Sequence, residues 1–120
     1  MIIAFWVLAA VLAVFYLYAG GKKVTQSRDQ LRPMMKWVDD VPFWLVRTVG
    51  GIEIFGAVGL VLPMLTGTAV WLGTVAAFGL AVLQVLAAGL HVSRGEYAET
   101  ILNAVLLTWA LVIAWLSLSV

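Results

Sequence analysis

The chain has 120 residues, 64% of them hydrophobic and 11% charged, with a net charge of +1, one His and no Cys. Soluble domains carry about 25% charged residues, so this inventory cannot clothe a water-facing surface, and it is equally far from that of a disordered chain. Disulfide and thiolate chemistry are excluded, one His leaves no zinc or bis-histidine haem site within the chain, and the near-neutral charge excludes a nucleic-acid surface.

With a mean hydropathy of +1.09, the expected class is all-α: a polytopic membrane protein, a bundle of four transmembrane helices with a short interfacial helix in the first loop. A helix needs about 20 mostly apolar residues to cross a hydrocarbon core of about 30 Å. The first such run is 2–21, free of charge up to Gly20 and Gly21, which read as a stop before Lys22 and Lys23. No Lys or Arg precedes it, so it reads as a retained helix rather than a cleaved signal peptide. The second run is 44–65, where Pro63, Thr66 and Gly67 read as a tight turn. The third is 68–91, closed by His91, Ser93, Arg94 and Gly95, and the fourth, 100–119, has no charged side chain. Four spans account for most of 1–120 and leave no room for a second domain.

The first loop holds Lys22, Lys23, Arg28, Arg32 and Lys36, and the third loop holds Arg94. The basic bias puts loops one and three in the cytoplasm and both termini outside, in an inner (cytoplasmic) membrane. Within the first loop, Pro33 begins a helical pattern over 33–41: Met34, Met35, Trp37, Val38 and Val41 alternate with Lys36, Asp39 and Asp40 until Pro42. This segment reads as a connector anchored on the membrane surface with Trp37 at headgroup level; a lid over a cytoplasmic opening is the sharper alternative.

Helices in lipid associate through close packing and interhelical hydrogen bonds, so small residues mark their contact faces. One stripe on the first helix carries Ala9, Ala13, Tyr16, Gly20 and Lys23; on the third, Gly73, Ala77, Leu80, Gln84, Ala87 and His91; on the fourth, Asn103, Ala110, Ala114 and Ser117. The second has Gly50, Gly51, Gly56 and Gly59. On three helices the polar residues share the stripe with the small ones, so they point inward.

The functional candidates follow from that geometry. Glu53 lies nine residues past Trp44, about 13 Å along the axis and near the midplane. A charge at that depth costs about 2.5–3.5 kcal/mol on insertion scales and needs a partner. The expected partners are Arg47 or His91 by charge, or Gln84 or Asn103 by hydrogen bonding; the alternative is a carboxyl kept protonated by desolvation. Arg47 and Glu53 sit about 120° apart around the helix, so each is expected to reach a neighbouring helix instead of its companion. Tyr16 and Lys23 complete the candidate ligand-binding set of Arg47, Glu53, Gln84, His91, Asn103, Tyr16 and Lys23. The plainer readings stay open: Arg47 as a snorkelling residue, His91 as an interfacial one, Glu53 and Asn103 as ties that lock the bundle.

The run Val41-Pro42-Phe43-Trp44, then Arg47, Gly50, Gly51, Glu53, Gly56, Gly59-Leu60 and Pro63, with Gly20-x-x-Lys23 and His91, resembles the DoxX-like family. The resemblance implies a four-helix inner-membrane protein. Relatives include a membrane subunit of a thiosulfate:quinone oxidoreductase and a membrane protein that joins thiol-redox enzymes. With no Cys in this chain, any thiol or sulfur chemistry would come from a partner. Three functions are consistent with these residues: a subunit of a membrane redox or detoxification system that binds a small amphipathic ligand such as a quinone; a scaffold docking partner proteins in a membrane complex through the basic first loop; and a proton-coupled transporter acting as a homo-oligomer. No nucleophile–base pair is visible, and an acid–base role for Glu53 and His91 on a lipid-like substrate is the enzymatic alternative.

Overall fold

The computed structural model describes residues 2–118, and among them the fold is a compact helical bundle without strands. Four helices are long and apolar enough to cross a membrane: α1 (Ile2–Thr25), α3 (Phe43–Thr66), α4 (Trp71–Ser93) and α5 (Tyr97–Ser117). The short α2 (Arg28–Leu31) and a 3-10 turn (Lys36–Asp39) lie in the first loop. The protein is therefore a multi-pass membrane protein whose natural surroundings are a lipid bilayer.

Consecutive spans run antiparallel. α1 packs on α3, α3 on α4 and α4 on α5, and the ring closes at the sparsest of these contacts, between α5 and α1. The interior is built from the small-residue stripes: Phe5, Ala9, Leu12 and Ala13 of α1 meet Ala57 and Leu60 of α3, Ala77 and Leu80 of α4, and Ala110, Ile113 and Ala114 of α5. The outer face carries Val7, Val11, Phe55, Leu62, Val82, Leu86 and Ile101, all exposed, as lipid-facing helices require. Trp109 donates its indole N–H to the Leu8 carbonyl at 3.1 Å and ties α5 to α1 away from the basic end.

Three local expectations change. Gly20 and Gly21 do not stop the first helix, which continues to Thr25. Gly20 serves close approach instead: a Cβ placed there would lie 2.6 Å from the Gly50 carbonyl oxygen of α3. Pro63 is not in a turn but inside α3. Proline is tolerated in membrane helices because a neighbour can take up the freed backbone group, and the Gly59 carbonyl it leaves free faces Gly73 of α4. The chain reverses at Gly67, whose φ of +70° is the left-handed conformation that glycine adopts without strain. Finally, no helix begins at Pro33. The loop splits into α2, started by a Ser27–Gln30 capping box, and the 36–39 turn, because the reciprocal cap sets an earlier start. Leu31, Met35, Val38 and Val46 bury themselves as a satellite cluster under Trp37, Val41 and Phe43.

Candidate functional site

Polar side chains from all four spans converge inside the half of the bundle that bears the basic first loop. Lys23, one turn past Gly20 on the buried α1 stripe, donates its ammonium to Glu53 Oε1 of α3 at 2.6 Å. Glu53 is only 4% exposed and Lys23 7%. The two helices reach this distance because Gly20 and Gly50 cross backbone to backbone; a Cβ on Gly50 would stand 2.6 Å from Lys23 Cβ. An ion pair in lipid offsets its desolvation only when geometry of this kind is fixed in advance.

Beside this pair runs a hydrogen-bonded chain across the bundle. Asn103 of α5 donates from Nδ2 to Gln84 Oε1 of α4 at 2.8 Å, and Gln84 donates from Nε2 to the Tyr16 hydroxyl of α1 at 2.6 Å. All three are buried. At the far end of this chain Asn103 Oδ1 is enclosed without a partner.

Five of the seven residues singled out in the sequence thus meet at one level. The partner of Glu53 is a correction: it hydrogen-bonds to none of Arg47, His91, Gln84 and Asn103 but to Lys23. Lys23 sits on the same stripe as Tyr16 and Gly20, which was the available signal; what the sequence does not carry is the crossing point of α1 and α3. Arg47 does reach a neighbouring helix, donating to the Lys23 carbonyl at 3.1 Å, with its guanidinium 4.6 Å from the Phe43 ring centroid.

His91 lies apart from the convergence. Its Nδ1 is 3.0 Å from Glu96 Oε1, which also accepts from Arg94 Nε at 2.7 Å, and Arg94 pairs with Asp40 of the first loop. These residues latch the α4–α5 connection to the first loop, an arrangement that sequence reasoning missed because Asp40 and Arg94 lie far apart in the chain. The Arg94 guanidinium, then His91, hold the Glu96 carboxyl below its ordinary value of 4.5. A depressed carboxyl stabilises the fold above its ordinary value and stops doing so as pH falls through the lower, folded one. Exchange protection of the amides of residues 94–97, corrected for intrinsic rate, is therefore expected to hold from pH 7 to pH 5 and to fall at lower pH. Loss already between pH 7 and 5 would give control of the latch to another group.

Two open apolar grooves mark the outer surface, one between α3 and α4 at Phe55, Gly59, Pro63 and Gly79, the other on α5 at Ile101, Val105 and Thr108. Neither is lined by Tyr16, Lys23, Glu53, Gln84 or Asn103. Among the described residues, no group of three or more His, Cys, Asp or Glu side chains could hold a metal ion.

A sequence model described as the DoxX-like family matches residues 7–114. The match spans all four membrane helices and the residues of the polar convergence, and the chain belongs to that family. No curated protein and no solved structure matches it.

Proposed function

We propose that this DoxX-like protein is a membrane subunit, associated with a redox or detoxification system, that binds a small amphipathic molecule such as a quinone or quinol inside the bundle. The polar head is held by Tyr16, Gln84 and Asn103 beside the Lys23–Glu53 pair, and the apolar body lies among the helices. One observation carries the reading: each of the four spans contributes a buried polar side chain to the same level. Burying polar groups in lipid is costly, and packing alone would be served by apolar residues. Asn103 Oδ1 is the acceptor still open to a ligand O–H. The α1–α5 seam, the sparsest of the ring and flanked by Tyr16 and Asn103, is the entry route. The basic bias of the first loop supports placing this end in the cytoplasm of an inner membrane, with both termini outside.

A packing role is the second reading. It is favoured by the partners that Lys23, Glu53, Gln84 and Tyr16 already find in one another. Protein purified in native lipid, extracted and analysed by mass spectrometry, is expected to yield an enriched quinone or other small amphipathic molecule. A short-chain quinol should bind saturably to quinone-free protein in nanodiscs. Asn103→Leu should weaken that binding by up to about tenfold, the loss of one hydrogen bond. No enrichment and no saturable binding would leave the packing role.

A further inference from the structure

Apart from the polar convergence, the basic end of the bundle holds cations that the chain does not neutralise. Of the seven Lys and Arg residues, Lys23 pairs with Glu53, Arg32 with Asp29 and Asp39, and Arg94 with Asp40 and Glu96. Lys22, Arg28, Lys36 and Arg47 have no carboxylate partner among the described residues. Two of these four are brought together. The guanidinium carbons of Arg28 and Arg47 lie 5.2 and 4.6 Å from the centroid of the same ring, Phe43.

We propose that Arg28, Phe43 and Arg47 form a clamp for the phosphate of an anionic phospholipid. Both guanidinium groups are fixed by backbone carbonyls: Arg28 Nη1 donates to Val38 at 2.6 Å and Val41 at 3.2 Å, and Arg47 Nη1 to Lys23 at 3.1 Å. A guanidinium has five N–H donors in a rigid fork, so both side chains are pre-oriented and keep donors free. Two like charges no more than 9.8 Å apart repel, and a phosphate hydrogen-bonded by both planar forks at the edge of the ring lowers that repulsion. The clamp stands where α1 ends and α2 and α3 begin, at the edge of the apolar spans, next to Trp44, which is 67% exposed. Exposed Trp at the end of a span is a headgroup-level residue. A lipid of net negative charge is selected over a zwitterionic one because the latter brings a further cation to a site whose two cations outnumber the one carboxylate near them, that of Asp39, which is itself paired with Arg32.

The test is native mass spectrometry of the full chain in detergent, titrated with short-chain phosphatidylglycerol and phosphatidylcholine. The wild type is expected to retain one phosphatidylglycerol at least about fivefold more tightly than phosphatidylcholine. The double variant R28K/R47K keeps both charges but loses the forks, and Phe43→Leu removes the ring; each should bring the preference below about twofold. Lys36→Gln, an exposed cation outside the clamp, should leave it unchanged. Equal affinity of the wild type for the two lipids overturns the proposal whether or not the variants fold. So does an unchanged preference in R28K/R47K. Displacement of the lipid by inorganic phosphate would assign the clamp to a soluble anion and equally overturn it.

Discussion

Lys23→Met is expected to destabilise the bundle by about 3–5 kcal/mol, because it leaves the Glu53 carboxyl enclosed with no hydrogen-bonding cation. Glu53 is buried, and the Lys23 ammonium is its single hydrogen-bond partner among the described residues. Glu53→Leu should cost a similar amount by stranding the ammonium, reduced to the extent that the long Lys23 stem lets its head move toward water at the helix end. Combining the two is expected to be far milder than the sum and close to neutral, since an apolar pair of similar volume suits this interior. Equilibrium unfolding in mixed micelles read by tryptophan fluorescence gives all four corners of the cycle. A coupling energy below about 0.5 kcal/mol would show that the pair adds nothing to stability. The cycle also bears on function: if the double variant is as stable as the wild type but no longer binds a quinol, the ion pair is kept for the ligand rather than for the fold.

The four spans were legible because length and hydropathy are local properties of the chain, and membrane crossing demands little else. The buried stripes were legible for a related reason. Small and polar residues recurred at helical spacing on α1, α4 and α5, and in lipid such faces have only other helices to meet. Periodicity fixes which face of a helix turns inward but not the height at which two helices cross. Glu53 was correctly read as needing a partner, yet the partner followed from the Gly20–Gly50 crossing, which brings Lys23 alongside and leaves Arg47 above it. Gly20 and Pro63 misled as helix ends because the rules for breakers come from water, where a glycine or proline exposes backbone; inside this bundle a neighbouring helix covers that backbone, Gly50 at Gly20 and Gly73 at the Gly59 carbonyl. One of the three functions consistent with the sequence uses the basic first loop to dock partner proteins. Part of that loop's charge is neutralised within the fold, Arg32 on Asp29 and Asp39 and Asp40 by Arg94 of the α4–α5 connection, pairings between residues whose proximity only the folded loop creates.

Gly20→Ala is expected to cost about 1–3 kcal/mol, the range for overpacking, and to do so through the site as well as the fold. The added methyl would meet the Gly50 carbonyl oxygen at 2.6 Å, Ile54 Cγ1 at 3.0 Å and Glu53 Cβ at 3.1 Å. Ile54 can rotate, but a helix carbonyl cannot, so α1 and α3 must separate or slide. The Lys23–Glu53 bond lies one turn from this contact and would stretch with it. Gly21→Ala is the matched control: a Cβ there meets nothing within 4 Å. It should be neutral or stabilising by up to about 1 kcal/mol, the helix-propensity difference between the two residues. The same contrast should hold between Gly50→Ala and Gly51→Ala, since Gly50 faces Lys23 and the Gly20 carbonyl while Gly51 is open. Thermal unfolding of the four variants in one detergent separates the cases. If all four behave alike, the backbone crossing is not what sets the distance between α1 and α3, and the Lys23–Glu53 pair must be held by the side chains themselves.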